Sequence, residues 1–366
     1  MKKRKVFKIS VILAIGLILA LLVSAPTAMA PLPGHLPTPT PIPFSSPLPF
    51  SSFGVRERIG AGVTSAVPMN KFCLEAKQFL GAFINWGSAL FGEDEGCPDM
   101  LYIRMVTGNP SYETLQRELD SLPNDKLLIV AIGNEPGVGS QGQTPQEYAS
   151  YFFKYRNLLK EINPQILVAT AGFIPRYGFH HCSSGNRCGG QQYFEEAMAE
   201  YRRLSGHNMV EDIDVFNIHS YNTLWIDYVP WLIEDVKGWR AFMKSIGGQN
   251  KPLIVTEWGT LDYLVPREKS ILFMLAGFEF FLEARSRETG YPADNYRLVQ
   301  IALWFPINDG EGYPFENFWE NGNLFDSDSG EITLSGTALK EFVENHEPLK
   351  EYHDLFLPQI YKSFGE

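Results

Sequence analysis

Basic residues are scarce in this chain. Against 42 Asp and Glu it has 31 Lys and Arg, for a formal net charge of −11. Lys2, Lys3, Arg4, Lys5 and Lys8 fall within the first eight residues, so the remainder is more acidic still. A surface of that sign repels phosphate backbones and argues against a nucleic-acid partner. Long apolar runs are also missing. The one extended run, Val11 to Val23, is shorter than the 18–20 or so residues that a membrane-spanning helix needs. No Gly-rich dinucleotide loop is present, which leaves a doubly wound nucleotide-binding sheet without its usual support. Disorder is excluded by the 45% hydrophobic content. Aromatics, in contrast, are plentiful: 26 Phe, 16 Tyr and 7 Trp. Their faces suit sugar rings, so a neutral polymer is the partner the composition favours.

The first 30 residues read as an export signal. A basic start is followed by the short apolar run and then by Ala28-Met29-Ala30, the order of a secretory signal peptide. Pro31 would follow the scissile bond and hinder cleavage, so the segment is either removed or kept as an N-terminal tether at the membrane. Both place the body outside the cytosol. Residues 31–52 alternate Pro with small or apolar residues and are expected to form a polyproline II spacer. Residues 53–366 show no second linker and are expected to form one domain, as a monomer. Cys73, Cys97, Cys182 and Cys188 form an even set, read most simply as Cys73–Cys97 and Cys182–Cys188 disulfides. The alternative is a zinc site built from His180, His181, Cys182 and Cys188.

Eight short apolar or β-branched runs recur between helical stretches: Arg58–Val63, Ala82–Gly87, Leu101–Val106, Lys126–Gly133, Ile166–Gly172, Asp214–Ser220, Pro252–Trp258 and Leu298–Phe305. Near-continuous apolar runs mark strands buried on both faces, hence parallel strands covered by helices. Thr144-Pro145-Gln146-Glu147 offers an N-cap, a helix-start proline and a capping-box Glu, ahead of an apolar stripe from Tyr148 to Ile162. Strand and helix alternating eight times predict a (β/α)8 barrel.

In such a barrel the chemistry belongs at the C-terminal ends of the strands. Strand four runs into Asn134-Glu135-Pro136, strand six ends His219-Ser220-Tyr221, strand seven runs into Glu257-Trp258-Gly259, and strand eight ends at Trp304. Two glutamates three strands apart face each other across the mouth, the arrangement glycoside hydrolysis uses. Glu135 would serve as acid and then base, Glu257 as nucleophile, and Asn134 could bond a sugar 2-OH. No cofactor is needed.

These motifs resemble glycoside hydrolase clan A, the cellulase-like retaining enzymes, over about Arg58 to Asn345. The resemblance implies that Tyr221 holds the nucleophile's carboxylate, that His219 lines the site and that Trp304 forms a platform beneath the sugar. Asn85-Trp86-Gly87 and Pro98-Asp99-Met100 are most similar to the clan's β-1,3-glucanase branch, which makes a β-glucan the expected substrate and adds Trp86 and Trp258 to the binding residues. That branch usually has Phe where this chain has Gly133 and Trp258. Arg104, inside strand three, is either a substrate contact or one half of a buried ion pair. Asp326, Asp328 and Glu331 read as an acidic turn, lacking the spacing of a calcium loop. Trp225, Tyr228, Trp231, Tyr313, Phe315, Phe318 and Trp319 lie in long mouth-side loops, where one or two are expected to stack on sugars. The rival reading is a non-catalytic glycan-binding protein on the same barrel.

Overall fold

The computed structural model describes residues 48–63, 69–85, 97–120, 127–139, 142–222, 228–260, 265–308, 322–326 and 328–346. The export signal, most of the Pro-rich segment, Trp86, Trp225, Tyr313, Phe315, Phe318 and Trp319 lie outside these residues. Among the described residues no helix is long and apolar enough to cross a membrane.

Eight parallel strands form the barrel: β1 (Ile59–Val63), β2 (Ala82–Asn85), β3 (Leu101–Val106), β4 (Ile129–Ile132), β5 (Leu167–Ala169), β6 (Phe216–Asn222), β7 (Leu253–Thr260) and β8 (Ile301–Trp304). Their order around the sheet is β5-β4-β3-β2-β1-β8-β7-β6. Parallel bridges from Ala169 to Val215 and from Phe173 to Ile218 join the two edges, and the sheet closes. The expected (β/α)8 architecture is therefore present.

Among the described residues, six helices of nine or more residues cover the outside: α1 (Tyr112–Asp120), α2 (Pro145–Ile162), α3 (Gly190–Ser205), α4 (Tyr228–Ser245), α5 (Arg267–Glu283) and α6 (Leu334–Asn345). At the start of α2 the capping box forms as the sequence predicts. Thr144 Oγ1 accepts the Glu147 amide at 3.2 Å, and Glu147 accepts the Thr144 amide at 2.7 Å. Tyr148, Tyr151, Phe152, Tyr155 and Leu159 then bury their stripe against the barrel.

Along each strand, period-two alternation divides inward from outward residues. Ile84, Ile103, Met105, Ala131, Ile254 and Leu303 belong to the inner cluster. Arg104 alternates with Ile103 and Met105, so it faces the helices, where it forms a buried ion pair with Glu118 of α1. The ion-pair reading of Arg104 holds, and its assignment as a substrate contact is corrected: the side chain points away from the mouth.

Phe50, assigned by the sequence to the spacer, is fully buried and joins the inner cluster at the end opposite the mouth. Arg58 fixes it there, donating to the Phe50 carbonyl and making two bonds of 2.7 and 2.8 Å to Asp294. The folded body thus begins before residue 53. Phe50→Ala is expected to lower unfolding stability by about 3–5 kcal/mol, the usual cost of an emptied aromatic site. An unchanged denaturant midpoint would show that the ring plugs nothing.

Both disulfides pair as expected, Cys73 with Cys97 and Cys182 with Cys188. The zinc alternative falls, because both thiols are consumed and both His180 nitrogens are bonded to main chain.

Candidate active site

β4 ends in an unusual backbone. Gly133 has φ of 86°, and Glu135 itself has φ of 37°, in the left-handed region that a residue with a Cβ enters at a cost of about 1–3 kcal/mol. This turn lifts Glu135 over the mouth, where its side chain keeps 18% of its surface exposed. The neighbouring Asn134 holds a buried Oδ1 with no hydrogen-bond partner.

β6 contributes three residues from its inward face. Asn217, His219 and Tyr221 point to the barrel axis, while Phe216 and Ile218 pack in the outer layer. β7 departs from simple alternation. Ile218 pairs with Val255 and His219 with Glu257, and on the other side Ala302 pairs with Val255 and Trp304 with Trp258. Strand β7 therefore carries one residue more than each neighbour, a bulge at Thr256–Glu257. The bulge turns both side chains toward the axis.

The result is a continuous hydrogen-bond chain. Asn217 Oδ1 accepts the Thr256 amide at 3.2 Å and the Thr256 hydroxyl at 2.9 Å. With its proton so committed, Thr256 Oγ1 must accept from His219 Nε2 at 3.0 Å. The other ring nitrogen, Nδ1, then faces Glu135 Oε1 at 2.8 Å and Glu257 Oε2 at 3.4 Å. Tyr221 donates its hydroxyl to the same Glu257 oxygen. His219 is wholly buried. Burial pulls its pKa down, but the charges of Glu257 and Glu135 outweigh burial and raise it overall. Gly172 makes room for the ring, since a Cβ there would lie 1.9 Å from Nε2.

One oxygen from each glutamate and one His219 nitrogen lie within 4.8 Å of one another, a spacing that could also hold a divalent cation. The hydrogen bonds already made by His219, Tyr221 and the two carboxylates compete for the lone pairs such an ion would use.

Of the residues expected at the site, Glu135, Glu257, Asn134, His219 and Tyr221 are brought to the mouth. Trp258 and Trp304 are not. Both are fully buried, edge to face at 4.8 Å, and packed against Phe273 of α5; Trp304 Nε1 donates to the Gly322 carbonyl at 2.7 Å. Trp304 follows the inward Leu303 and so must face out, and Trp258 lies outward of the β7 bulge. Phe305, next in phase with Ile301 and Leu303, is the aromatic that meets Tyr221, at 6.0 Å between ring centres. Strand alternation was the signal that could have named it. Thr256 and Gly172 carried no comparable signal.

At the rim, Trp231 is 40% exposed and lies 4.6 Å from the Arg176 guanidinium, which also bonds Asp235 and the Tyr221 carbonyl. Asp326 is used locally: its carboxylate accepts the amides of Asp328 and Ser329 and closes its own turn.

No protein-family model matches the chain, and no curated protein matches it. Solved structures do. A GH128 subgroup III curdlan-specific exo-β-1,3-glucanase from Blastomyces gilchristii aligns with a TM-score of 0.53 at 15% identity, covering 80% of this chain and 99% of its own. A GH39 enzyme from Xanthomonas axonopodis pv. citri gives 0.54 at 13%, covering 81% and 69%. An α-L-arabinofuranosidase from Thermotoga maritima gives 0.52 at 11%, covering 79% and 70%. The resemblance read from the strand-end motifs and the likeness in three dimensions point to the same group of barrels, and what the chain shares with those glycoside hydrolases is their (β/α)8 fold.

Proposed function

We propose that this protein is a secreted or surface-tethered retaining glycoside hydrolase that cleaves a β-glucan, with β-1,3-linked glucan the first candidate. The observation that carries the reading is the pair of carboxylates, Glu135 and Glu257, with one oxygen of each within 4.8 Å of the other and both turned to the same nitrogen of a buried imidazole. Retaining glycosidases need two carboxyl groups about 5–5.5 Å apart, whereas inverting ones need about 6.5–9.5 Å for an intervening water. Two disulfides fit an oxidising compartment.

In this mechanism Glu257 attacks the anomeric carbon while Glu135 gives its proton to the departing oxygen. Glu135 then takes a proton from water, which displaces Glu257 and releases the sugar with its original configuration. Tyr221 orients the attacking carboxylate. Asn134, whose Oδ1 has no hydrogen-bond partner, is the residue assigned to a sugar hydroxyl.

The test is reducing-sugar release by residues 48–366 from laminarin, cellulose, mannan, xylan and galactan, with the anomer of the first product read by NMR. Release from laminarin with retained configuration is expected. Binding without turnover would overturn the reading in favour of a carbohydrate-binding barrel, and an inverted product would overturn the two-step mechanism.

A further inference from the structure

Resting on the glycosidase reading, the structure assigns a positioning role to His180 and the Cys182–Cys188 hairpin: together they clamp the strained turn that carries Glu135. The hairpin pairs His180–His181 with Arg187–Cys188 in the loop between β5 and α3, far from Glu135 in sequence. In space it grips the two residues that follow Glu135. His180 Nδ1 donates to the Pro136 carbonyl at 2.7 Å, and the His181 amide donates to the Gly137 carbonyl at 3.0 Å.

His180 is built for this task. It is fully buried between the rings of Phe173 and Tyr193. Its Nε2 accepts the Ile174 amide at 3.1 Å, and the Ile174 carbonyl is satisfied by Gly190. Burial lowers its pKa, so the ring stays neutral with its proton on Nδ1, where Pro136 requires it. A backbone at φ of 37° persists only when its surroundings over-determine it. Those surroundings are the hairpin on one side and Tyr193 on the other: a Cβ at Gly137 would sit 2.6 Å from the Tyr193 ring.

The hairpin is itself fastened. The disulfide closes its base, and at the tip Ser183 bonds Glu196 of α3 at 2.5 Å and Gln146 of α2 at 2.7 Å. None of these groups reaches the carboxylates. They act through the direction in which Glu135 leaves β4, and an acid misplaced by about 1 Å loses on the order of 10²-fold in rate.

Two readouts test the clamp. The first is hydrogen–deuterium exchange of the 133–139 segment, which requires no substrate. In His180→Phe, and separately in the double variant Cys182→Ser with Cys188→Ser, exchange there is expected to rise at least 10-fold or so, with α2 unchanged. The second compares two β-glycosides of the released sugar, one with a phenyl and one with a 2,4-dinitrophenyl leaving group. The phenyl ether needs the Glu135 proton, and the dinitrophenolate leaves without one. His180→Phe is expected to lower kcat/KM, which reports the steps up to the glycosyl-enzyme, about 10–100-fold on the phenyl glycoside and little on the activated one, with partial recovery in His180→Gln. Unchanged exchange in both variants overturns the clamp. Faster exchange with equal losses on both glycosides overturns its link to the acid. A wild-type protein that turns over neither glycoside, yet shows the exchange effect, refutes the glycosidase reading and leaves the clamp standing.

Discussion

Replacing Glu257 by Ala is expected to reduce turnover by on the order of 10⁴–10⁶-fold, the loss typical of removing a covalent nucleophile. The structure gives reasons to expect so large an effect. Glu257 is nearly buried at the foot of the mouth, the Tyr221 hydroxyl and the His219 ring are both turned to it, and the β7 bulge exists where it must re-aim this side chain. The other carboxylate of the cluster, Glu135, is already engaged by His219 Nδ1 and is needed as the acid. The variant also leaves a space that a small anion can enter. Added azide is expected to restore part of the activity on an activated aryl β-glycoside and to yield the α-glycosyl azide, because a single displacement inverts the anomeric carbon. Full activity in the variant, or a β-azide product, would remove Glu257 from the nucleophile's role. Circular dichroism and the melting midpoint serve as the control that the barrel has survived.

How far the sequence could be read depended on strand phase. The third strand coincides with its expected span, Leu101–Val106, and the capping box at Thr144 and Glu147 forms as written, because both signals are local. The two glutamates at the mouth were legible because each follows an apolar run at a strand end. The tryptophans were misplaced for the opposite reason. Simple alternation from the inward Ile254 would put Thr256 and Trp258 on the barrel axis and Glu257 among the helices. The extra residue in β7 leaves Thr256 on the axis but turns Glu257 inward and Trp258 outward, and a bulge depends on the register of two neighbouring strands, which no local pattern encodes. Phe50 failed in the same way: beside Pro47 and Pro49 it looks like spacer, and only the assembled barrel offers the cavity that it fills. His180, which entered only in the alternative zinc reading, turns out to be a strut because its partners, Pro136 in the loop after β4 and Ile174 earlier in its own loop, meet it only in the assembled fold.

Replacing Glu135 by Gln is expected to lower kcat on the natural polymer by about 10²–10⁴-fold, the range that general acid–base catalysis supplies. The loss should depend on the leaving group. With an activated aryl glycoside the first step no longer needs a proton, but the second still needs a base, so the Glu257-linked glycosyl-enzyme is expected to accumulate and to appear in the mass spectrum. Azide, which attacks without a base, should drain it as the β-glycosyl azide.

The pH dependence separates this role from simple substrate binding. His219 Nε2 is committed to Thr256, so the contact between Nδ1 and Glu135 contains one proton shared by the two groups, and the alkaline limb of the wild-type activity profile reports its loss from the pair. Burial lowers the His219 pKa and the two carboxylates more than restore it. A raised imidazole contributes stability that is complete below its unfolded value of about 6.5 and disappears as pH climbs through the folded value. In Glu135→Gln one of the two raising charges is gone. The alkaline loss of stability is then expected to begin at lower pH than in the wild type, while the alkaline limb for an activated substrate disappears. A variant that kept the limb and the stability profile of the wild type would show that the shared proton lies elsewhere, and Glu135 would lose its place as the acid.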